Sequence, residues 1–403
     1  MKVVLAFSGG LDTSFCVAYL TRERGAEVTT VVVDTGGLSR AELDRVAAQA
    51  KAVGAAAHRE VDARQATWDH FVATLIRGNV LRGGVYPVSV AAERTQQAIE
   101  VAKVAKELGT NAVAHGSTGA GNDQVRFDVA LTVLLPGVPI VTPIRELGLK
   151  REQAVEYLEK LGLPVPAGAS RYSVNAGLWG TTLGGGWTHD PWQGPPADAW
   201  PGGEPDGATP PTEIVIAWKE GLPASLEGKA MTGPELVEAL AAVLRPYGIG
   251  RGIHLGETVL GIKGRIGFEA GAAQVLIAAH RELEKLVLTK WQSFWKDHVA
   301  QFWGDRLHEG QAFDPVMRDI EAMIASSQRH VAGDTRVLLA PGRFAVTGVR
   351  SPFSLMDAGI ARYGESNALW TGEEARAFAK LAAVPSLLAA RRGSATILPE
   401  EAP

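Results

Sequence analysis

The stretch "AFSGGLDTSF", from Ala6 to Phe15, limits how this chain can fold more tightly than any other part of it. Val3, Val4, Leu5, Ala6 and Phe7 form a short unbroken apolar run, the pattern of a strand buried on both faces of a parallel sheet. Beyond the turn, Leu11, Phe15, Ala18 and Tyr19 recur at helical spacing, so the segment reads strand, tight turn, helix. A helix start leaves backbone N–H groups without partners at the positive end of the macrodipole, which suits an anion. Gly9 and Gly10 allow close approach to the backbone, while Ser8, Asp12, Thr13 and Ser14 add hydroxyls and a carboxylate able to contact magnesium. The plain alternative is a glycine turn capped by Ser8.

The kind of phosphate follows from what the turn lacks. It has no lysine in G-x-x-x-x-G-K-[ST] spacing, and its adjacent glycines do not fit G-x-G-x-x-G. It resembles the pyrophosphate loop, S-G-G-x-D-S/T-S, of the ATP pyrophosphatases. That resemblance implies β- and γ-phosphates held as one leaving group while a nucleophile attacks the α-phosphate, giving AMP and pyrophosphate.

Strand and helix patterns alternate through the first third, the signature of an α/β, doubly wound parallel sheet. "VTTVVVDTGG" is a second strand followed by a helix over 40–53, "AAHREVDA" a third strand, and 90–108 a helix before "NAVAH" and "PIVTPI". In such folds ligands sit beyond the carboxyl ends of the strands, so the turns after Phe7, Val33 and His115 should share one crevice. "LPVPAGAS" reads as a linker, dividing a nucleotide-binding domain (1–165) from an α+β synthetase domain (166–365), with a C-terminal helix and tail (366–403). Residues 181–212, rich in Gly, Pro, Asp and Trp, read as an insertion or a subunit contact through Trp187, Trp192 and Trp200. Further on come hairpin strands in "EIVIAWKEGLP", "TVLGIKGRIGF" and "RVLLAPGRFAVTGV", one long helix over 272–302, and a last helix over 373–390. His280, Trp291, Trp295 and Trp303 are expected to pack rather than bind ligands.

At 403 residues the chain has room for two or three domains. A composition 46% hydrophobic and 21% charged is that of a globular protein and argues against extended disorder. A net charge of −4 offers no footprint for a polyanion, so no nucleic-acid partner is expected. The single cysteine, Cys16, rules out an internal disulfide and a Cys-x-x-Cys metal site, and a buried structural thiol is expected. No apolar stretch reaches membrane-spanning length and no leader precedes the first strand, so the expectation is a cytoplasmic protein.

A second glycine-rich junction, "HGSTGAGNDQVRFD", carries different chemistry. Thr118, Asn122 and Asp123 can bind an ammonium and a carboxylate, and Arg126 carries a planar fork suited to a carboxylate. Asn122 and Arg126, four apart, share a helix face. In the plainer reading Asn122 caps the helix and Arg126 pairs with a surface acid.

The string G-x-T-G-x-G-N-D-Q-V-R-F resembles the signature of the argininosuccinate synthases, and A-F-S-G-G-L-D-T-S resembles that family's pyrophosphate loop. Similarity continues at "RYSVNAGLWGTT", "YGIGRGIHLGETVLGIKGR" and "VRSPFSL", in the family's order. The resemblance implies a ligase that joins citrulline to aspartate with ATP and Mg2+, through a citrullyl-adenylate, in a homotetramer. It places ATP on Ala6, Phe7, Ser8, Gly9, Gly10, Leu11, Asp12, Thr13, Ser14, Val33 and Gly116. Aspartate falls on Thr118, Asn122 and Asp123. Citrulline falls on Tyr86, Asn122, Arg126, Ser173, Thr182 and Glu257. Departures gather on the citrulline side: Val90 and Ala91 stand where a Thr-Ser pair is common and Ala120 where lysine is frequent. In addition, Gly256 displaces the family acid by one position to Glu257, and Phe268 replaces a tyrosine. Two alternatives stand beside this reading, a pyrophosphate-loop enzyme with another acceptor and a nucleotide-sensing protein with an eroded citrulline site.

Overall fold

The first apolar run forms strand β1 (Lys2–Ala6), with Val3, Val4 and Leu5 fully buried. In this computed structural model, which describes residues 1–166 and 173–394, β1 is the middle strand of a five-stranded parallel sheet. The other strands are β2 (Glu27–Asp34), β3 (Ala57–Asp62), β4 (Ala112–Ala114) and β5 (Ile140–Val141), in the order β3-β2-β1-β4-β5. Because side chains alternate along a strand, Val3 and Leu5 face one layer and Val4 the other. The first layer is built from α1 (Leu11–Arg22), α2 (Arg40–Ala52) and, further along the chain, the helix Arg151–Lys160; the second contains α3 (Ser89–Leu108) and α4 (Asp123–Leu134). The chain leaves β1 toward β2 on one side and reaches β4 on the other, which makes their carboxyl ends a topological switch point. Cys16 lies fully buried on α1, where burial pushes its thiol up.

The rest of the first unit carries two antiparallel sheets. One is β6 (Ser173–Gly177), β7 (Gly180–Gly184), β11 (Arg251–Glu257) and β12 (Lys263–Glu269), ordered β11-β12-β7-β6. The other contains β8 (Thr212–Lys219), β9 (Leu222–Leu226), β10 (Lys229–Ala230), β13 (Gly333–Ala340) and β14 (Arg343–Arg350). Residues 167–172, covering all of "AGAS" in the expected linker and the first two letters of "RYSVN", lie outside the described residues. By its contacts the chain divides into Met1–Phe353 and Ser354–Pro403, so the nucleotide-binding segment and most of the synthetase segment form one unit. No described helix is long and apolar enough to cross a membrane.

Four expectations change in detail. The helix over 272–302 is two helices, α5 (Gly271–Val287) and α6 (Lys290–His308). Leu288 is extended between them, and Thr289 with Gln292 forms a capping box that starts the second. The last helix is likewise divided into α7 (Gly372–Ala382) and α8 (Val384–Arg391), with Pro385 in the first turn of the latter, where it cannot donate to the preceding turn. His280 and Trp303 are buried as expected, but Trp291 and Trp295 are exposed. In the insertion, Trp187 is buried beneath Arg265, whose guanidinium also reaches the carbonyls of Asp190 at 2.6 Å and Gln193 at 2.8 Å. Trp187 is therefore committed to its own chain, while Trp192 is 95% exposed.

The β6–β7 hairpin reaches across to the parallel sheet. Leu178 N–H donates to the Thr35 carbonyl at 2.9 Å, and Gly36 and Gly37 leave the space it needs. A Cβ on Gly37 would stand 2.1 Å from the Ala176 carbonyl oxygen, a backbone atom with no freedom to yield. Gly37→Ala should therefore cost about 1–3 kcal/mol in urea unfolding. Gly207→Ala, where an added Cβ meets nothing within 4 Å, should stay close to the parent. Equal stability of the two variants would show that the hairpin does not press on the turn.

Candidate active site

The turn after β1 is shaped by contact. Gly9 has φ +72°, and a Cβ there would lie 3.0 Å from Val46 Cγ2 on α2. Gly10 is the N-cap of α1 and no side chain caps that helix; the Ser8 hydroxyl accepts from the Gly10 N–H at 3.4 Å and shares a hydrogen bond with the Thr13 hydroxyl at 3.3 Å. The alternative of a turn capped by Ser8 thus fails, and the first N–H groups of α1 stay available to an anion. At the second junction Asn122 does not cap α4 with its side chain. Its Oδ1 accepts from Val259 N–H at 2.9 Å, which leaves the amide NH2 as donor. The two turns touch: a Cβ on Gly116 would lie 3.1 Å from Thr13 Cγ2.

Both turns open on one cavity of about 760 Å3. Ala6, Phe7, Ser8, Asp12, Thr13, Val33 and Gly116 line it from the expected ATP set. Thr118, Asn122, Asp123, Arg126, Tyr86, Ser173 and Thr182 line it from the two amino-acid sets. Gly9 and Gly10 form the turn without lining the cavity, and Leu11 and Ser14 are turned into the protein, the Ser14 hydroxyl accepting from Gln49 at 3.1 Å. Glu257 lies elsewhere. On β11 the alternation points it outward, where it pairs with Lys263 at 2.9 Å; the one-residue displacement noted in the sequence has moved the acid to the other face of the strand. Val90 gives the cavity an apolar wall, and Phe268 is fully buried with its ring tip over Gly252.

Several lining residues escaped the sequence reading. Arg94 and Gln97 continue the helical stripe that passes through Val90, a signal present in the spacing. Arg45, Asn175 and His308 carried no local signal. His308 stands at the end of α6 and meets Arg126 only through the fold.

Family models match along almost the whole chain: the arginosuccinate synthase N-terminal HUP domain over residues 2–164 and the arginosuccinate synthase C-terminal domain over 172–389. The chain belongs to the argininosuccinate synthase family. Curated relatives of that name include one from Xylella fastidiosa, 41% identical over 96% of this chain and 96% of its own. One from Xanthomonas campestris pv. campestris is 42% identical over 96% and 98% of the two chains. One from Pyrobaculum aerophilum is 37% identical over 97% and 98%.

In this member of the argininosuccinate synthase family the charged groups of the cavity hold one another in place. Asp123 accepts from Arg94 Nε and from Arg126 Nη1, each at 2.9 Å. Burial pushes the Asp123 carboxyl up, but the two guanidiniums outweigh it and hold the group below the usual carboxylate range. Arg126, 4% exposed, spends its Nε and Nη2 on the His308 carbonyl at 3.1 and 3.0 Å. It is neither a surface pair nor a free fork; the N–H groups left over are what it can offer a ligand. Burial and the neighbouring Arg126 push the His308 imidazole down to about 3, so it is neutral at physiological pH. His115 donates from Nε2 to Asp128 at 2.9 Å while its Nδ1 accepts from Ser117 N–H, which fixes one tautomer. The Asp12 carboxyl is raised by burial, partly offset by Arg151, and makes no side-chain hydrogen bond among the described residues.

Glu93, one turn beyond Val90, is buried with its Oε1 unpartnered beneath Gly177. Burial raises its carboxyl to about 8, against the pull of Arg94. Since the folded value lies above the unfolded one near 4.5, the folded state holds the proton more tightly. Stability from this group is full below about pH 4.5 and falls toward pH 8, with a slope of roughly 1.4 kcal/mol per pH unit. Glu93→Gln should flatten that decline in denaturant titrations across the same window. An unchanged slope would mean that Glu93 is ionised in the folded protein.

Proposed function

We propose that this protein joins citrulline to aspartate, consuming ATP and releasing AMP and pyrophosphate, as a step of arginine biosynthesis. The observation that carries this reading is the meeting of the two glycine turns in one cavity, an anion-binding helix start on one side and Asn122, Asp123 and Arg126 on the other. The ureido oxygen of citrulline attacks the α-phosphorus, and the bond from that phosphorus to the bridging oxygen breaks with its electron pair on pyrophosphate. The aspartate amine then attacks the ureido carbon of the citrullyl-adenylate, loses a proton and expels AMP. Positioning and charge stabilisation supply most of the acceleration, because neither step needs a protein nucleophile.

In this reading Ser8, Thr13 and the backbone from Ala6 to Ser14, with Val33 and Gly116, hold the nucleotide. Thr118, the Asn122 amide and Asp123 hold aspartate, and Tyr86, Asn122, Arg126, Ser173 and Thr182 hold citrulline. Asp12 and the Ser8 and Thr13 hydroxyls form an all-oxygen donor set that suits magnesium, and the unbonded Asp12 carboxylate fits that use. Bound there with ATP, the ion would offset charge on the phosphates. Among the described residues no three acidic, histidine or cysteine side chains converge, and magnesium shared with phosphates needs no such cluster. We also propose a cytoplasmic homotetramer, with the exposed Phe378, Leu381, Leu387 and Leu388 of the C-terminal unit as contact residues. Light scattering on the purified protein should return a tetramer mass, and a monomer mass would remove that part.

The deciding assay mixes protein, ATP, magnesium, citrulline and aspartate. Pyrophosphate should appear only when both amino acids are present. Release with ammonia or transfer RNA in their place would indicate another acceptor, and ATP binding without turnover would indicate a nucleotide sensor. Arg126→Ala should raise the citrulline KM about tenfold or more, the worth of a charged hydrogen bond, and change the ATP KM much less. Equal effects on both would assign Arg126 to holding the fold.

A further inference from the structure

Among the described residues three arginines line the cavity, Arg45, Arg94 and Arg126, and no lysine does so. Arg94 is committed to Asp123, Gln97 and Asn175, and Arg126 to Asp123 and His308. Arg45 makes no ion pair and no hydrogen bond among the described residues. Its place in the fold is specific. It lies about one and a half turns into α2, beside Val46, the residue whose Cγ2 backs Gly9 of the anion turn. The other charges on that side are engaged. Glu42 accepts from Ser39 N–H at 2.8 Å and from the Ser39 hydroxyl at 2.7 Å, and Arg40 pairs with Asp44 and Glu60.

A helix start supplies only about half an elementary charge, whereas a triphosphate carries several negative charges and gains more on its terminal part as the α-phosphorus bond breaks. We propose that Arg45 grips the β- and γ-phosphates of ATP and stabilises them as they leave as pyrophosphate. This inference rests on the ATP-dependent ligase reading above. A guanidinium suits the task because its planar fork meets two phosphate oxygens at once and stays charged throughout the reaction. Where the electron pair of the broken bond arrives, a cation stabilises the growing charge as well as the bound triphosphate.

The test compares Arg45→Ala, Arg45→Lys and Arg40→Ala, the last removing the same charge from the same helix outside the cavity. Pyrophosphate release is measured against ATP concentration, and binding of ATP, AMP and inorganic pyrophosphate is measured directly by calorimetry. Arg45→Ala should lose about tenfold or more in kcat/KM for ATP and weaken ATP and pyrophosphate binding alike, as expected for a lost charged contact. AMP binding should stay within about twofold, Arg45→Lys should recover part of the loss, and Arg40→Ala should behave as the parent. Parental binding of ATP and pyrophosphate by Arg45→Ala, or an equal loss for AMP, would overturn the proposal. If the parent protein releases no pyrophosphate with citrulline and aspartate, the ligase reading falls, and the calorimetric comparison still decides whether Arg45 holds terminal phosphates.

Discussion

The site depends on two backbone turns lying in van der Waals contact. The side chain and backbone of Thr13 come close because Gly116 carries no side chain at the point of approach, and β1 and β4 pair in register directly beneath them. The sheet therefore sets the distance between the anion-binding helix start and the start of α4. Everything that follows, from the uncapped N–H groups of α1 to the position of Asp123, is fixed relative to that contact.

Around it, the amino-acid side of the cavity is organised by neutralisation. Asp123 is shared between two guanidiniums, and Arg126 is in turn anchored by the carbonyl that ends α6. A buried charge without such partners would be costly, while a fully satisfied set is rigid and keeps its few remaining donors in fixed directions. Val90 gives this pocket an apolar wall where the resemblance led one to expect a hydroxyl, while Phe268 is fully buried and does not line it. The polar contacts left to a ureido group are correspondingly few.

Much of this was legible in the sequence because its signals are local. The apolar run, the paired glycines and the helical spacing after Leu11 gave β1, the turn and α1, and Asn122 with Arg126 was read as one helix face that the structure turns toward the cavity. Local signals also misled. The apolar period runs smoothly through Leu288, and the capping box of Thr289 and Gln292, visible in the letters, outweighs it. Glu257 looked equivalent to a family acid one position away, but on a strand one position is the opposite face. The role of His308 could not have been read, since its carbonyl meets Arg126 across 182 residues and any residue type could have offered that atom.

The wedge formed by the β6–β7 hairpin has an evolutionary corollary. The family is described by two models that meet near residues 164–172, as if the halves were separable modules. Yet Leu178 is bonded to Thr35, Gly177 roofs Glu93, and Ser173 and Thr182 complete the wall of the nucleotide cavity. A recombination event at that seam would pass on a nucleotide fold with an open side and an unroofed carboxyl, so either half is structurally incomplete without the other.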